Sequence, residues 1–288
     1  MLNSPIVKNI KNAPWMTKAS LLWILLILFL ACFGTHLTPY NYEIDLDLLA
    51  RLTPPIPFEG SLWSHALGTD DLGRDVFSQL MISIKVTLFI AVLGTVIGSI
   101  LGVSLGFLAA HYNKKLFGII DHVISMAIDF QASLPFIILA LGLLGIWGNS
   151  MTLIIVLMGI YGWEGYARLA RNLAISSKSQ GYTRAIETLG ASPFRIYFRH
   201  ILPNISSVLI VNMTLNFPKT ILIESSLSFL GVGVQPPLSS LGTMLSFSRE
   251  YLTSAWWIAL APAIVIFLST LSMSIIGDWI RDLLDPHH

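Results

Sequence analysis

The chain has 288 residues, 54% of them hydrophobic and only 11% charged, with a mean hydropathy of +0.72. A water-soluble domain carries roughly 25% charged residues, so this composition excludes a soluble globular protein. The net charge of +1 gives no basis for a nucleic-acid partner, and a single cysteine, Cys32, excludes an internal disulfide or a cysteine-rich metal site.

A tail of residues 1–18, with Lys8, Lys11 and Lys18, precedes a first apolar run at 19–37. The pattern has the outline of a secretory signal, and Ala31-Cys32 that of a lipoprotein site. Phe29-Leu30 fits such a site poorly, and the run is long enough to span a bilayer. Further apolar runs at 84–110, 117–147, 151–173, 205–223 and 255–276 each approach the roughly 20 residues needed to cross about 30 Å of hydrocarbon. The pattern predicts an all-α membrane protein with six spanning helices. The third is diluted by Asp121, His122, Asp129 and Gln131 and should open with an interfacial or protein-buried turn. With the N-terminus in the cytoplasm, twelve of the seventeen Lys and Arg fall on the inner side, which places both termini there.

The outer segment 38–83 is rich in proline and acid, including Asp70, Asp71 and Asp75, and reads as an extended loop closing on a short interfacial helix near 75–82. The second helix carries Gly94, Gly98, Gly102 and Gly106 at four-residue spacing, a face suited to close helix packing. Ionisable and amide groups at membrane depth face protein or water. Asp129, Gln131, Ser133, Glu164, Asn212, Asn216 and Glu224 are therefore candidates for a polar path, with Lys219 and Glu224 alternatively at the outer interface. A second outer loop, 224–254, mixes Gly, Pro and Ser with apolar insertions and should pack back on the bundle mouth.

No phosphate-binding GxxxxGK[ST] loop and no HExxH are present, and the His287-His288 pair reads as a tail. Asp121 and Asp129 lack the glycine-flanked context of an intramembrane protease. No catalytic or metal-ligating set is expected.

Between the fourth and fifth runs lies a basic stretch, 174–204, on the inner side. Tyr182, Ala185, Ile186 and Leu189 form a helical stripe, Gly190 ends it, and Ser192-Pro193 starts a second short helix bearing Phe194, Tyr197, Phe198 and Ile201. Arg195 and Arg199 share one face of that helix. Two short helices at an angle would form a protruding knob.

The run Leu189-Gly190-Ala191-Ser192, continued by Arg199-His200-Ile201-Leu202-Pro203-Asn204, resembles the EAA loop of bacterial ABC importer permeases. The segment 67–75 (LGTDDLGRD) is similar to the signature before helix two in the second, "C"-type permease of the oligopeptide, dipeptide and nickel group. So are the Asp129-to-Pro135 spacing, the stretch 224–237 (ESSLSFLGVGVQPP), and the C-terminal Gly277-Asp278 and Leu284-Asp285-Pro286. The likeness covers about residues 65–286. Arg184 stands where the EAA glutamate is usual, with Glu187 three residues on. Ile186 replaces the second alanine, and Leu241 stands where Trp is frequent.

The resemblance implies a type I importer fold in the bacterial inner membrane, with a permease domain at 84–280 and a cytoplasmic tail at 281–288. It implies a second homologous permease, two ATPase subunits that carry ATP and Mg, and a periplasmic or lipid-anchored binding protein. The chain itself would hold no cofactor. Coupling to the ATPases would run through Tyr182, Arg184, Ala185, Glu187, Gly190, Ala191, Phe194, Arg195, Tyr197, Arg199, Leu202 and Pro203, with an acidic or neutral surface opposite Arg184. Short peptides are the expected cargo, and nickel or a metal chelate is the second choice.

Overall fold

The computed structural model describes residues 13–42, 44–113, 118–179 and 181–284, with backbone alone at 182, 184 and 185. The sequence features at Lys8, Lys11, Glu43, Lys114, Lys115 and 285–288 lie outside the described residues. The helices are α1 (Trp15–Leu37), α2 (Val76–Tyr112), α3 (Ile119–Ser133), α4 (Phe136–Trp147), α5 (Met151–Ile160) and α6 (Trp163–Ser179). They continue with α7 (Gly181–Thr188), α8 (Pro193–Phe229), α9 (Leu241–Ser248) and α10 (Trp257–Leu284). Among the described residues five helical spans are long and apolar enough to cross a bilayer, with α5 and α6 taken as one, and a sixth forms if α3 and α4 count as one broken span.

The short outer helix expected near 75–82 is not separate: it is the first two turns of α2. Asp75 caps this helix, its carboxylate accepting from the Ser78 amide at 2.8 Å, and no proline interrupts the next 37 residues. At 1.5 Å per residue such a helix is about 55 Å long, so its ends stand well clear of the hydrocarbon.

The third span is likewise not one rod. α3 and α4 meet at a 91° bend around Leu134-Pro135, because the residue before a proline is forced toward extended backbone (Leu134 has φ −93°, ψ 133°). A second break falls at Tyr161-Gly162, where Gly162 takes φ +79° and separates α5 from α6.

The expected second knob helix also merges into a longer element. From Pro193 the helix runs on to Phe229, passing through a π turn at Ile196–Ile201. Pro203 offers no N–H, and its ring crowds the carbonyl of Arg199 one turn back. The widened turn, with the Leu202 amide reaching back to the Tyr197 carbonyl, lets the chain continue.

α2 lies at the centre of the fold, against α1, α5, α6 and α8, and α10 packs on α1 and α8. Val76, Leu80, Ile84 and Leu88, in the first half of α2, form a core with Ile221, Met244, Ile258 and Val265. A second core at the other end of α2 joins Phe107 and Ala110 to Ala170, Ala174, Tyr197, Ile201 and Ile205.

Candidate functional site

At the end of α2 near Tyr112 the chain builds a two-part knob. α7 closes in a Schellman motif: the Ala191 amide donates to the Ile186 carbonyl and the Gly190 amide to the Glu187 carbonyl, with Gly190 at φ +80°. Ser192 then caps α8, its hydroxyl accepting from the Arg195 amide, with Pro193 in the first turn. Leu189 and Phe194 stand 86% and 71% exposed, and Phe194 stacks on Phe198 at 4.4 Å. Phe194, Arg195, Phe198, Arg199 and Pro203 border an open hollow of ≈ 560 Å³. Glu187 is exposed, and Ala191 and Leu202 are half-buried.

Tyr197, expected on the gripping face, turns inward instead. It is buried against Phe107 at 5.2 Å, with the Lys178 ammonium 5.2 Å from its ring, because the π turn rotates it toward α2 and α6. The side chains of Tyr182, Arg184 and Ala185 lie outside the described residues.

The knob sits on a rigid seam. A Cβ on Gly94 would fall 2.5 Å from that of Met158, and one on Gly98 2.9 Å from the Gly159 carbonyl oxygen. At Gly102 and Gly106 it would collide with the carbonyl oxygens of Trp163 and Ala167. The four glycines thus face α5 and α6 of the same chain, and backbone, which cannot give way, sets the contact. On its other side α6 holds α3 by two ion pairs. Arg171 binds Asp121 at 2.5 Å, largely buried, and Arg168 binds Asp129 at 3.1 Å in the open.

At the opposite end of the fold Glu224, placed by sequence on a path or at the interface, is fully buried. Its carboxylate accepts from Ser228 at 2.8 Å and Ser225 at 3.4 Å, with Ser240 and Thr87 also hydrogen-bonded to it. The Leu241 amide donates to Thr87 (3.0 Å), and the Val234 amide to Ser228 (3.2 Å). This carboxylate therefore pins α2, α8, α9 and the 232–234 turn together.

The loop before α2 is equally fixed. Asp70 accepts from the Leu72 and Arg74 amides (2.9 and 2.8 Å) and pairs with the Arg74 guanidinium (3.0 Å). Burial nevertheless raises its carboxyl above the ordinary range, against the lowering by Arg74. His65 meets Asp75 at 3.1 Å, and Trp257 of α10 donates its indole N–H to the Thr69 carbonyl at 3.2 Å.

The path candidates separate into two groups. Asp129 and Ser133 are exposed and Gln131 half-buried on the last turns of α3; Asp129 is paired as above, and Ser133 bonds the Phe130 carbonyl at 2.8 Å. Glu164, Asn212 and Asn216 do converge. They line a polar cavity of ≈ 270 Å³ with Tyr161, Tyr166, Lys219, Thr95 and Thr220. Sequence reasoning missed both tyrosines and the role of the Tyr161-Gly162 break, which turns the start of α6 toward α8. A lone glycine after an apolar run was the available signal. It also missed the α3–α6 ion pairs, which only the packing reveals.

The profile of the binding-protein-dependent transport system inner membrane components matches residues 102–287. The di/tripeptide transport system permease protein of Pseudomonas aeruginosa is 37% identical over 267 residues, 92% of this chain and 86% of the relative. The dipeptide transport system permease protein of Escherichia coli K12 is 37% identical over 266 residues, 92% and 87% of the two chains. The glutathione transport system permease protein of Pectobacterium atrosepticum is 34% identical over 265 residues, 92% and 85%.

Proposed function

The chain belongs to the binding-protein-dependent transport system inner membrane components, and from that premise we propose how it works within an importer. It is a multi-pass membrane permease subunit, not an enzyme, and it serves an ATP-driven importer of short peptides. Its partners are ABC components and a substrate-binding protein.

The finer assembly is one copy of this chain beside a second homologous permease, with two ATPase subunits below. The ATP and Mg are held by those subunits. Both termini lie in the cytoplasm, and the binding protein delivers peptide to the outer loops around Asp70 and Val234.

The observation that carries this reading is the knob. An exposed apolar pair, Leu189 and Phe194, flanked by Arg195 and Arg199, protrudes from a seam whose glycines leave no slack. Apolar burial supplies grip and the arginines supply register. Because the second half of the knob is continuous with α8, a push on Phe194 is delivered directly to Asn212 and Asn216. Arg184 faces an acidic or neutral patch of its ATPase.

The test uses Gly190. A Cβ there meets no atom within 4 Å, so a larger side chain projects outward, with backbone strain as its internal cost. The chain should co-purify with its ATPases. G190A, which carries the strain alone, should retain most ATP-driven uptake, whereas G190W should lose it. Full uptake by G190W would refute coupling through this knob.

A further inference from the structure

Of all the cavities, the polar one between α6 and α8 has features that packing does not explain. It lies half-way along both spans: Glu164 follows the break in Met151–Ser179, and Asn212 and Asn216 lie well inside Pro193–Phe229. An ionisable group at that depth costs a few kcal/mol and is retained where it has a partner or a task. Yet one carboxylate oxygen of Glu164 and the amide nitrogen of Asn212 are buried without a hydrogen-bond partner among the described residues. Arg168 and Lys219 act on Glu164 through space alone. Lys219 donates to the side-chain amide oxygen of Asn216 at 3.2 Å, and Arg168 to Asp129 at 3.1 Å.

An orphaned acceptor and an orphaned donor in one cavity are the complement of a small molecule bearing a cation and a carbonyl. We propose that this cavity is a membrane-depth binding site for the transported peptide. In it Glu164 takes the free α-ammonium and Asn212 donates to a backbone carbonyl. The proposal rests on the importer reading above and adds to it a specificity contact within the permease, separate from the binding protein. Glu224, Asp129, Gln131 and Ser133 take no part in it. The break at Gly162 serves the site by opening the helix where Glu164 must face inward.

The test is ATP-driven uptake by the complete transporter in proteoliposomes, using dialanine and N-acetyl-dialanine, which lacks the ammonium. The binding protein is the same for every variant, so its own preference cancels in the comparison. E164Q should lower the preference for dialanine over its acetylated form about ten-fold, the worth of one charge-assisted hydrogen bond. E164D should restore much of it.

G165L gives an independent arm. Gly165 lines the cavity and a Cβ there meets nothing within 4 Å, so the backbone admits a side chain at the cavity wall. This variant should assemble with its partners and move less of either peptide per ATP hydrolysed. Unchanged preference in E164Q, or unchanged yield per ATP in G165L, would overturn the site while leaving the importer reading intact. Absence of ATP-driven dialanine uptake in the unmodified transporter would overturn both.

Discussion

Arg171 grips Asp121 through both sides of its guanidinium, Nε to Oδ1 at 2.5 Å and Nη2 to Oδ2 at 2.7 Å. The fork joins the second half of one broken span, α6, to the first half of the preceding broken span, α3. Asp121 is buried and Arg171 mostly so. Removing one member leaves an uncompensated charge, which costs about 3 kcal/mol at a buried site. D121N should therefore lower the thermal midpoint of the purified complex clearly. R171K keeps the charge but loses the two-point fork, so it should lower the midpoint by less than D121N. The double variant D121N/R171Q should be less damaged than the sum of the singles. Loss of the exposed Arg168–Asp129 pair should cost no more than about 1 kcal/mol. Equal effects at both pairs would contradict this ranking.

The glycine seam makes a sharper distinction. G102V and G106V place side-chain carbon against the Trp163 and Ala167 carbonyl oxygens, which are backbone and cannot rotate away. Each should cost about 3 kcal/mol and reduce the yield of monodisperse protein. G142A, where a Cβ meets nothing within 4 Å, should be neutral or gain up to about 1 kcal/mol. Gel filtration and thermal melting compare them directly.

Glu224 is expected to be structural. E224A strands Ser225 and Ser228 in a dry interior and should cost about 2–3 kcal/mol. E224Q, which keeps an acceptor oxygen, should recover over half of that. If E224A instead altered peptide selectivity at normal stability, Glu224 would belong to the path after all.

The outer loop should respond to acid in an unusual direction. Burial raises the folded-state pKa of Asp70, so the folded loop holds this proton more tightly than the unfolded chain. Its ionisation penalty is present at neutral pH and is relieved as pH falls through the raised value. Amide protection of residues 69–75 should therefore rise on mild acidification from about pH 7, after correction for intrinsic exchange, and D70N should abolish the rise. Identical profiles in the two proteins would count against it.

Much of this architecture was written in local chemistry. Apolar runs located the spans, and Gly190 and Ser192-Pro193 located the turn of the knob through a left-handed cap and a proline start. The glycine spacing marked a packing face, although which helices it meets depended on tertiary structure. What sequence could not supply was continuity. Whether Asp75–Ile82 is separate from α2, or Pro193 from α8, depends on hydrogen bonds that pass through apparent boundaries. The site candidates divided for a related reason. Glu224 and Asp129 are acids like Glu164, but serine hydroxyls satisfy one and an arginine the other. Only packing shows that Glu164 is left with an open acceptor.

The account as a whole is tested most directly by ATP-dependent dialanine uptake in proteoliposomes holding this chain, its partner permease, their ATPases and the binding protein. Uptake should require ATP and every component, and should collapse in G190W while G190A retains most of it. Uptake that persists without the ATPases, or that G190W leaves untouched, would contradict a permease driven through the 174–204 knob.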